Sequence, residues 1–196
     1  MQRSLCLLAA LAALAGLGLP ASSAATVGRA ATMVVQLGDL PQGFALESSG
    51  VVTNAALTHA SHTKNFRGLG RLTGYDATYT ALAVSGLTEV DAFASIYKTN
   101  AGAHKSLLLT VAHAQLADGA TVEPSVAAAM PGNEALVYLT TSKDGGMKVH
   151  SYTVAWRRGT VFAEVIGGGR AGTVNPTDVL ALAKRQDARI AQTLRS

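Results

Sequence analysis

Three strand-like segments follow one another in the C-terminal half of the chain, separated only by short turns. The segments span residues 136–141, 147–156 and 160–166, and glycine-containing turns at 143–146 and 157–159 connect them. Strands joined by such short turns pair as antiparallel neighbours, because a parallel pair needs a crossover of a dozen or more residues. This stretch therefore limits the chain to folds that contain an antiparallel sheet.

The rest of the chain contains further strands and three helical segments. The C-terminal helix is the clearest, because Asn175 is a good N-cap, Pro176 suits the first helical position and Asp178 complements the helix dipole. Most strands are joined by hairpins and not by alternating β-α-β units. The sequence therefore predicts an α+β domain, an α/β sandwich in which an antiparallel sheet of about six strands has two main helices packed on it. The other predicted strands span 43–52, 71–83, 88–97 and, weakly, 121–128, and the predicted helices span 54–62, 99–116 and 176–194.

The N-terminus has the layout of a secretory signal peptide. Arg3 provides the positive start, residues 5–19 form an almost unbroken apolar run, Pro20 ends it, and residues 21–25 offer small side chains for cleavage. A retained membrane anchor is the alternative, but the run is short of the ~20 residues that span a bilayer. We therefore expect this segment to direct export and to be removed.

This segment determines the predicted domain organisation. We expect a signal peptide over 1–24, a loose leader over 25–35 and a single α+β domain over 36–196. Cys6 precedes the apolar run, so it is not a lipobox cysteine, and the mature chain would contain no cysteine. With no transmembrane segment expected in the mature chain, the predicted location is secreted or extracytoplasmic.

The charge balance gives little support for a nucleic-acid partner. The formal net charge is +4, which falls to +3 without Arg3, and no basic run is interleaved with aromatic residues. A hydrophobic content of 48% and a charged content of 14% exclude an intrinsically disordered chain. We expect a monomer that binds an unknown small ligand or an envelope protein, and no nucleic acid.

A glycine pattern near the C-terminus matches a cofactor motif in spacing but not in context. Gly167-x-Gly169-x-x-Gly172 has the spacing of the dinucleotide fingerprint, in which a helix begins within the glycines. Here Pro176 sets a later helix start, and the surrounding strands are predicted to be antiparallel. We therefore expect a loose loop over residues 167–175 and no cofactor.

The histidines and carboxylates do not form a recognisable catalytic or metal motif. His59 and His62 could share a helix face, but zinc needs a third and usually a fourth protein ligand, and nothing nearby supplies one. His104 lies on an apolar helical stripe, which predicts a histidine at the edge of the core. Glu164 lies on a predicted strand, and it is either a functional acid or a partly exposed residue of the sheet. With no Gly-x-Ser-x-Gly elbow, we expect no catalytic residue and no metal.

Six residues combine aromatic rings with guanidinium groups, as binding surfaces often do. The alternative is that they pack between the sheet and the helices, with the arginines at strand ends. We take four as candidate ligand-binding residues, from a set that also contains Tyr79 and Tyr152. The four are Arg71, Tyr75, Trp156 and Arg157.

Three turn-like motifs carry a resemblance to known proteins. They are Asp39-Leu40-Pro41-x-Gly43-Phe44, Gly70-Arg71-x-x-Gly74-Tyr75 and Trp156-Arg157-Arg158-Gly159.

Through these motifs the chain resembles a set of exported actinobacterial-type proteins of unknown function. Its layout is similar to the PsbP/Mog1-like α/β sandwich group, which includes mycobacterial lipoproteins and the extracellular sensor domains of mycobacterial serine/threonine kinases. The resemblance covers roughly residues 36–194 and implies a sandwich fold and an extracytoplasmic location. It transfers no catalytic residue. Because the chain lacks a lipobox and the paired cysteines of the kinase sensor domains, neither lipid anchoring nor that sensor mechanism carries over.

Together these observations favour an exported, non-enzymatic binding or accessory domain of the bacterial cell envelope. A cleft between sheet and helix would hold a small or acidic ligand, or a protein surface. The alternative is an exported hydrolase with a spatially assembled active site, which a histidine and a carboxylate meeting in one deep pocket would favour. A third hypothesis is an interaction protein with a large exposed apolar patch.

Overall fold

The computed structural model describes residues 21–61, 65–82, 86–114, 121–124 and 130–196. Most of the predicted signal peptide lies outside the described residues, as do His62 and the second half of the strand predicted over 121–128. Among the described residues, no helix is long and apolar enough to cross a membrane.

In the described part of the chain, seven strands form one antiparallel sheet, which confirms the predicted fold class. Across the sheet, the described strands run in the order β1-β2-β3-β7-β6-β5-β4, and every neighbouring pair is antiparallel. The three consecutive strands predicted from the glycine turns are β5, β6 and β7, and they are indeed neighbours. The strands are β1 (Phe44–Val51), β2 (Arg71–Ala81), β3 (Glu89–Tyr97), β4 (Thr121–Pro124), β5 (Glu134–Asp144), β6 (Met147–Arg158) and β7 (Val161–Arg170).

Helices cover both faces of the sheet. Helices α1 and α4 pack on one face, where Met33 and Ile190 join the larger core cluster. Helices α2 and α3 pack on the other face, where Leu57 and Leu107 join a second cluster. The helices are α1 (Ala21–Met33), α2 (Asn54–Ser61), α3 (Asn100–Ala114) and α4 (Pro176–Thr193), and a 3-10 turn spans Leu37–Asp39.

The alternation of side chains along β3 shows why both faces need a helical cover. Val90 and Ala94 point into the core beneath α1 and α4. Phe93 and Tyr97 point into the core beneath α2 and α3. Successive residues of a strand face opposite sides of the sheet. Because β3 places apolar side chains on both faces, it must be buried between two layers.

The structure differs from the expected loose leader at residues 25–35. Most of this stretch belongs to α1, and Ala30, Met33 and Val35 are fully buried. The Tyr79 hydroxyl donates to the Val35 carbonyl oxygen over 2.8 Å, and the Val35 amide donates to Gln186 Oε1 over 3.2 Å. These apolar residues are ordered because they pack against α4 and the sheet. The prediction of a loose leader failed because those packing partners are distant in the sequence.

The loose loop predicted over residues 167–175 is wrong in its first part. Strand β7 continues through the glycines to Arg170 and pairs with both β3 and β6. A Cβ at Gly167 would meet the Val179 side chain, and a Cβ at Gly169 would meet the Gly86 carbonyl oxygen. These two glycines therefore allow neighbouring segments to approach the strand closely.

Candidate functional site

The four residues predicted to bind a ligand do not form one site. Tyr75 and Trp156 lie on the face covered by α1 and α4. The Arg71 guanidinium lies 5.9 Å from the ring of Phe93, on the face covered by α2 and α3. Arg157 points to the same face as Arg71 but lies on β6, whereas Arg71 begins β2. Whether any of the four binds a ligand remains a prediction, but they cannot do so as a single cluster.

Arg71 is a buried cation bonded to uncharged groups. Its Nε donates to Ser95 Oγ over 2.8 Å, and its two terminal nitrogens donate to Asn54 Oδ1 and to the Val52 carbonyl oxygen over 2.9 and 2.8 Å. Burial lowers the pKa of Arg71 to about 10. Only 3% of the residue is exposed, and its hydrogen bonds tie β2 to the segment that enters α2.

Trp156 is also enclosed. Its indole nitrogen donates to Asp187 Oδ1 over 3.0 Å, and Arg158 Nε donates to the same oxygen over 2.7 Å. The Gly132 amide donates to Asp187 Oδ2 over 3.1 Å. Asp187 on α4 therefore fastens β6 and the turn before β5 to the helix, which is a structural role for this part of the resemblance motif.

Tyr75 is half-buried, and its hydroxyl donates to Ser49 Oγ on β1 over 3.2 Å. It is the more accessible of the two aromatic candidates. The described contacts of Tyr75 stabilise the pairing of the edge strand β1 with β2.

Arg157 belongs to a surface cluster with Glu134 and His104. Its terminal nitrogen donates to Glu134 Oε1 over 3.0 Å, and His104 Nδ1 lies 2.6 Å from Glu134 Oε2. Hydrogen bonds from Arg157 and then His104 lower the pKa of Glu134. The His104 side chain is 45% exposed, so it lies further from the core than its apolar stripe predicts.

The His104–Glu134 pair bears on the hydrolase hypothesis. A positioned histidine with a carboxylate partner is one part of a nucleophilic site, but the nucleophile must lie within hydrogen-bond reach of the histidine. Among the described residues, no serine or threonine hydroxyl is bonded to His104. Likewise, no three His, Cys, Asp or Glu side chains among all the described residues are close enough to hold a metal ion. The surface cluster is therefore an incomplete catalytic arrangement.

An open groove lies where α4 meets one end of the sheet, and we call it the α4 groove. Its volume is about 730 Å³, which falls within the range of small-molecule sites, about 300–1,000 Å³. It is a cleft between sheet and helix, as expected, but it contains none of the four predicted residues. Its lining residues are Asp39, Leu40, Pro41, Gln42, Gly43, Phe44, Ala81, Leu82, Leu87, Asp178, Ala181, Leu182 and Arg185.

The floor of the α4 groove is apolar. Leu40, Phe44 and Leu87 are half-buried and pack against the core beneath α1 and α4, and Leu182 is 4% exposed. At the rim, Leu82 is fully exposed. An apolar floor that opens to water offers burial to the hydrocarbon part of a ligand.

Charged side chains stand at the rim. Burial raises the pKa of Asp39, but hydrogen bonds from Arg189 and from the Gln36 amide outweigh burial and hold the pKa below its ordinary value. Arg189 therefore neutralises Asp39. Arg185 donates to the Asp39 carbonyl oxygen, and no described carboxylate forms an ion pair with it. Asp178 lies in the first turn of α4, where the helix dipole favours its charge. Arg185 is thus an exposed cation at the rim, and its charge also stabilises the Asp39 carboxylate.

One signal in the sequence points to the α4 groove. The motif over residues 39–44, which carries part of the resemblance, forms one wall of it. Gly43 has a φ of +98°, so a glycine allows the turn that brings Phe44 back toward Leu40. The sequence alone does not indicate the role of this motif, because the other walls come from β2, Leu87 and α4.

Comparisons with known proteins bear on the fold alone. No protein-family model and no curated protein sequence matches the chain. Among solved structures, the chain is similar to the extracellular domain of PknH from Mycobacterium tuberculosis, with 8% sequence identity and a TM-score of 0.54. The match covers 87% of this chain and 97% of that one. This similarity agrees with the α/β sandwich that the sequence resemblance implies.

Proposed function

We propose that this chain is an extracytoplasmic, non-enzymatic binding domain whose α4 groove holds an amphiphile with a short apolar chain and an anionic head. The apolar floor of the α4 groove beneath the exposed Arg185 is the observation that carries the proposal. Among the described residues, the arrangement most similar to a catalytic site is the incomplete His104–Glu134 cluster. We therefore favour binding over hydrolysis.

The location is supported from two sides. The N-terminal segment has the layout of a signal peptide. The sandwich is also the fold of an extracellular domain from a mycobacterium. In this proposal the mature chain is released from its signal peptide and acts outside the cytoplasm, as a secreted or envelope accessory protein.

The chemistry of the α4 groove sets the expected affinity. The hydrocarbon chain lies against Leu40, Phe44 and Leu87, and the head group faces Arg185. Burying about six methylene groups contributes about 5 kcal/mol, at about 0.8 kcal/mol each. That free energy corresponds to a dissociation constant of about 0.1–1 mM. A ten-carbon carboxylate, decanoate, has a suitable chain and head and serves as the probe.

Decanoate at millimolar concentration is expected to raise the melting temperature of the mature chain, and Ala181→Glu is expected to abolish the rise. Ala181 is exposed and lines the α4 groove, so a glutamate there fills the space and repels the carboxylate head. A tenfold excess over the dissociation constant stabilises the folded state by about 1.4 kcal/mol. For a chain of this length that is a rise of roughly 3–6 °C, measured by thermal denaturation.

Ala188→Glu is the matched control, because Ala188 is an exposed alanine on the same helix outside the α4 groove. It should keep the full rise. Arg185→Gln should weaken decanoate binding by up to about fivefold and leave decanol binding unchanged, because only the carboxylate interacts with the guanidinium. Equal responses of the Ala181 and Ala188 variants would exclude the α4 groove as the binding site.

A further inference from the structure

A buried carboxyl group lies on the sheet face beneath α3. Glu164 on β7 is 7% exposed, so the sequence-based alternative of a partly exposed sheet residue is wrong. Its register partners are Phe93 on β3 and Ala155 on β6, and both belong to the core cluster under α2 and α3. Among the described residues, its hydrogen bond comes from the Tyr138 hydroxyl, over 3.3 Å.

Two further carboxyl groups lie on the same sheet face as Glu164. Asp91 lies two residues before Phe93 on β3, and Asp76 pairs with Phe93 from β2, so both carboxyl groups lie on the α3 side of the sheet. From β5, Tyr138 faces Glu164. These three carboxyl groups, Asp76, Asp91 and Glu164, form a row across three neighbouring strands.

The described cations on this face are bonded to other groups. The Arg71 guanidinium lies 5.9 Å from the Phe93 ring and donates to Ser95, Asn54 and the Val52 carbonyl oxygen. On β6, the next charged residue on this face is Arg157, which bonds to Glu134. On α3, His104 also bonds to Glu134 and Lys105 is exposed. The side chains of residues 111–114, including His113, lie outside the described residues. An ionised Glu164 would therefore be a buried anion whose described hydrogen bond comes from the neutral Tyr138 hydroxyl, which costs free energy unless the packing opens to water.

We propose that Glu164 is a proton-sensitive contact beneath α3, so that acid pH keeps α3 packed on the sheet and mildly alkaline pH loosens it. The packing at risk is that of Leu107 and Ala103 on Phe93, Ala155 and Phe162. The face beneath α1 and α4 lies on the other side of the sheet and is not part of this device. The inference is independent of the α4 groove.

The direction follows from the protonation of the folded and unfolded chains. The pKa of Glu164 is raised from 4.5 to about 7, chiefly by burial, while the Tyr138 hydrogen bond lowers it and the nearby Asp91 raises it by smaller amounts. The folded chain therefore holds this proton at pH values where the unfolded chain has lost it. Its contribution to stability is complete below about pH 4.5 and is lost as pH rises through 7. Burial also raises the pKa of Asp76, which acts in the same direction.

Amide hydrogen exchange at different pH values tests this inference on the mature chain. After correction for the intrinsic exchange rate, protection of the α3 amides is expected to fall by up to about 30-fold between pH 5.5 and 8. Glu164→Gln cannot ionise and should abolish that fall. Tyr138→Phe removes the hydrogen bond that favours the ionised form, so its transition should move to higher pH.

Asp144→Asn is the control, because Asp144 is an exposed carboxylate at the turn between β5 and β6. It should behave as the unmodified chain does. If the α3 amides keep their protection from pH 5.5 to 8, the inference is wrong. It is equally wrong if Glu164→Gln retains the fall, or if Tyr138→Phe leaves the transition at the same pH.

Discussion

Replacing Asp187 with alanine is expected to lower the free energy of unfolding by about 4 kcal/mol, the range for removing one partner of a buried ion pair. Asp187 is 8% exposed and accepts hydrogen bonds from the Trp156 indole, the Arg158 guanidinium and the Gly132 amide. Alanine would leave three donors without an acceptor, one of them charged.

Urea denaturation followed by the fluorescence of Trp156 measures this loss, since the chain contains one tryptophan. Asp144→Ala is the control, because Asp144 is exposed at the β5–β6 hairpin, and it should change the free energy of unfolding by less than about 0.5 kcal/mol. A loss below about 1 kcal/mol in the Asp187 variant would contradict the role assigned to this carboxylate.

Gly169→Ala is expected to destabilise the chain by about 3 kcal/mol, at the upper end of the cost of inserting a methyl group into a packed interior. The added Cβ would overlap the carbonyl oxygen of Gly86, and because that atom belongs to the backbone, a segment of chain must shift. The adjacent Gly168 is a close control, because a Cβ there would lie 3.3 Å from the Ser151 hydroxyl, which can rotate away.

Gly168→Ala should therefore cost less than about 1 kcal/mol, measured by the same urea denaturation. If the two alanine variants are equally stable, the close approach of Gly86 to β7 is not a constraint on position 169. If Gly169→Ala is as stable as the unmodified chain, strand β7 does not pack as described.

Local patterns predicted much of the fold. The alternation along β3 and the glycine turns of β5–β7 depend on neighbours in the sequence, and the strands form where expected. Asn175 caps α4 as predicted, with its side chain accepting from the Thr177 amide over 3.0 Å. Helix α1 and the glycine-rich end of β7 were not predicted, because both are ordered by α4 and by segments distant in the chain.

The candidate site was less accessible to prediction for a related reason. Arginine and aromatic residues occur in binding surfaces and in buried contacts alike, and the type of residue does not distinguish the two. Arg71 and Trp156 are buried because Asn54 and Asp187, distant in sequence, supply their acceptors. The α4 groove draws its walls from three separate parts of the chain, so its existence depends on the tertiary fold.

Mapping decanoate onto the chain by NMR tests the central proposal most directly. Backbone amide resonances of the uniformly ¹⁵N-labelled mature chain are followed during a decanoate titration. The proposal predicts saturable shifts centred on Leu40, Phe44 and Ala181, with a dissociation constant of about 0.1–1 mM. The proposal would be contradicted if the resonances of these residues did not shift at decanoate concentrations up to ten times that dissociation constant. It would also be contradicted if the shifts centred on another face of the sheet.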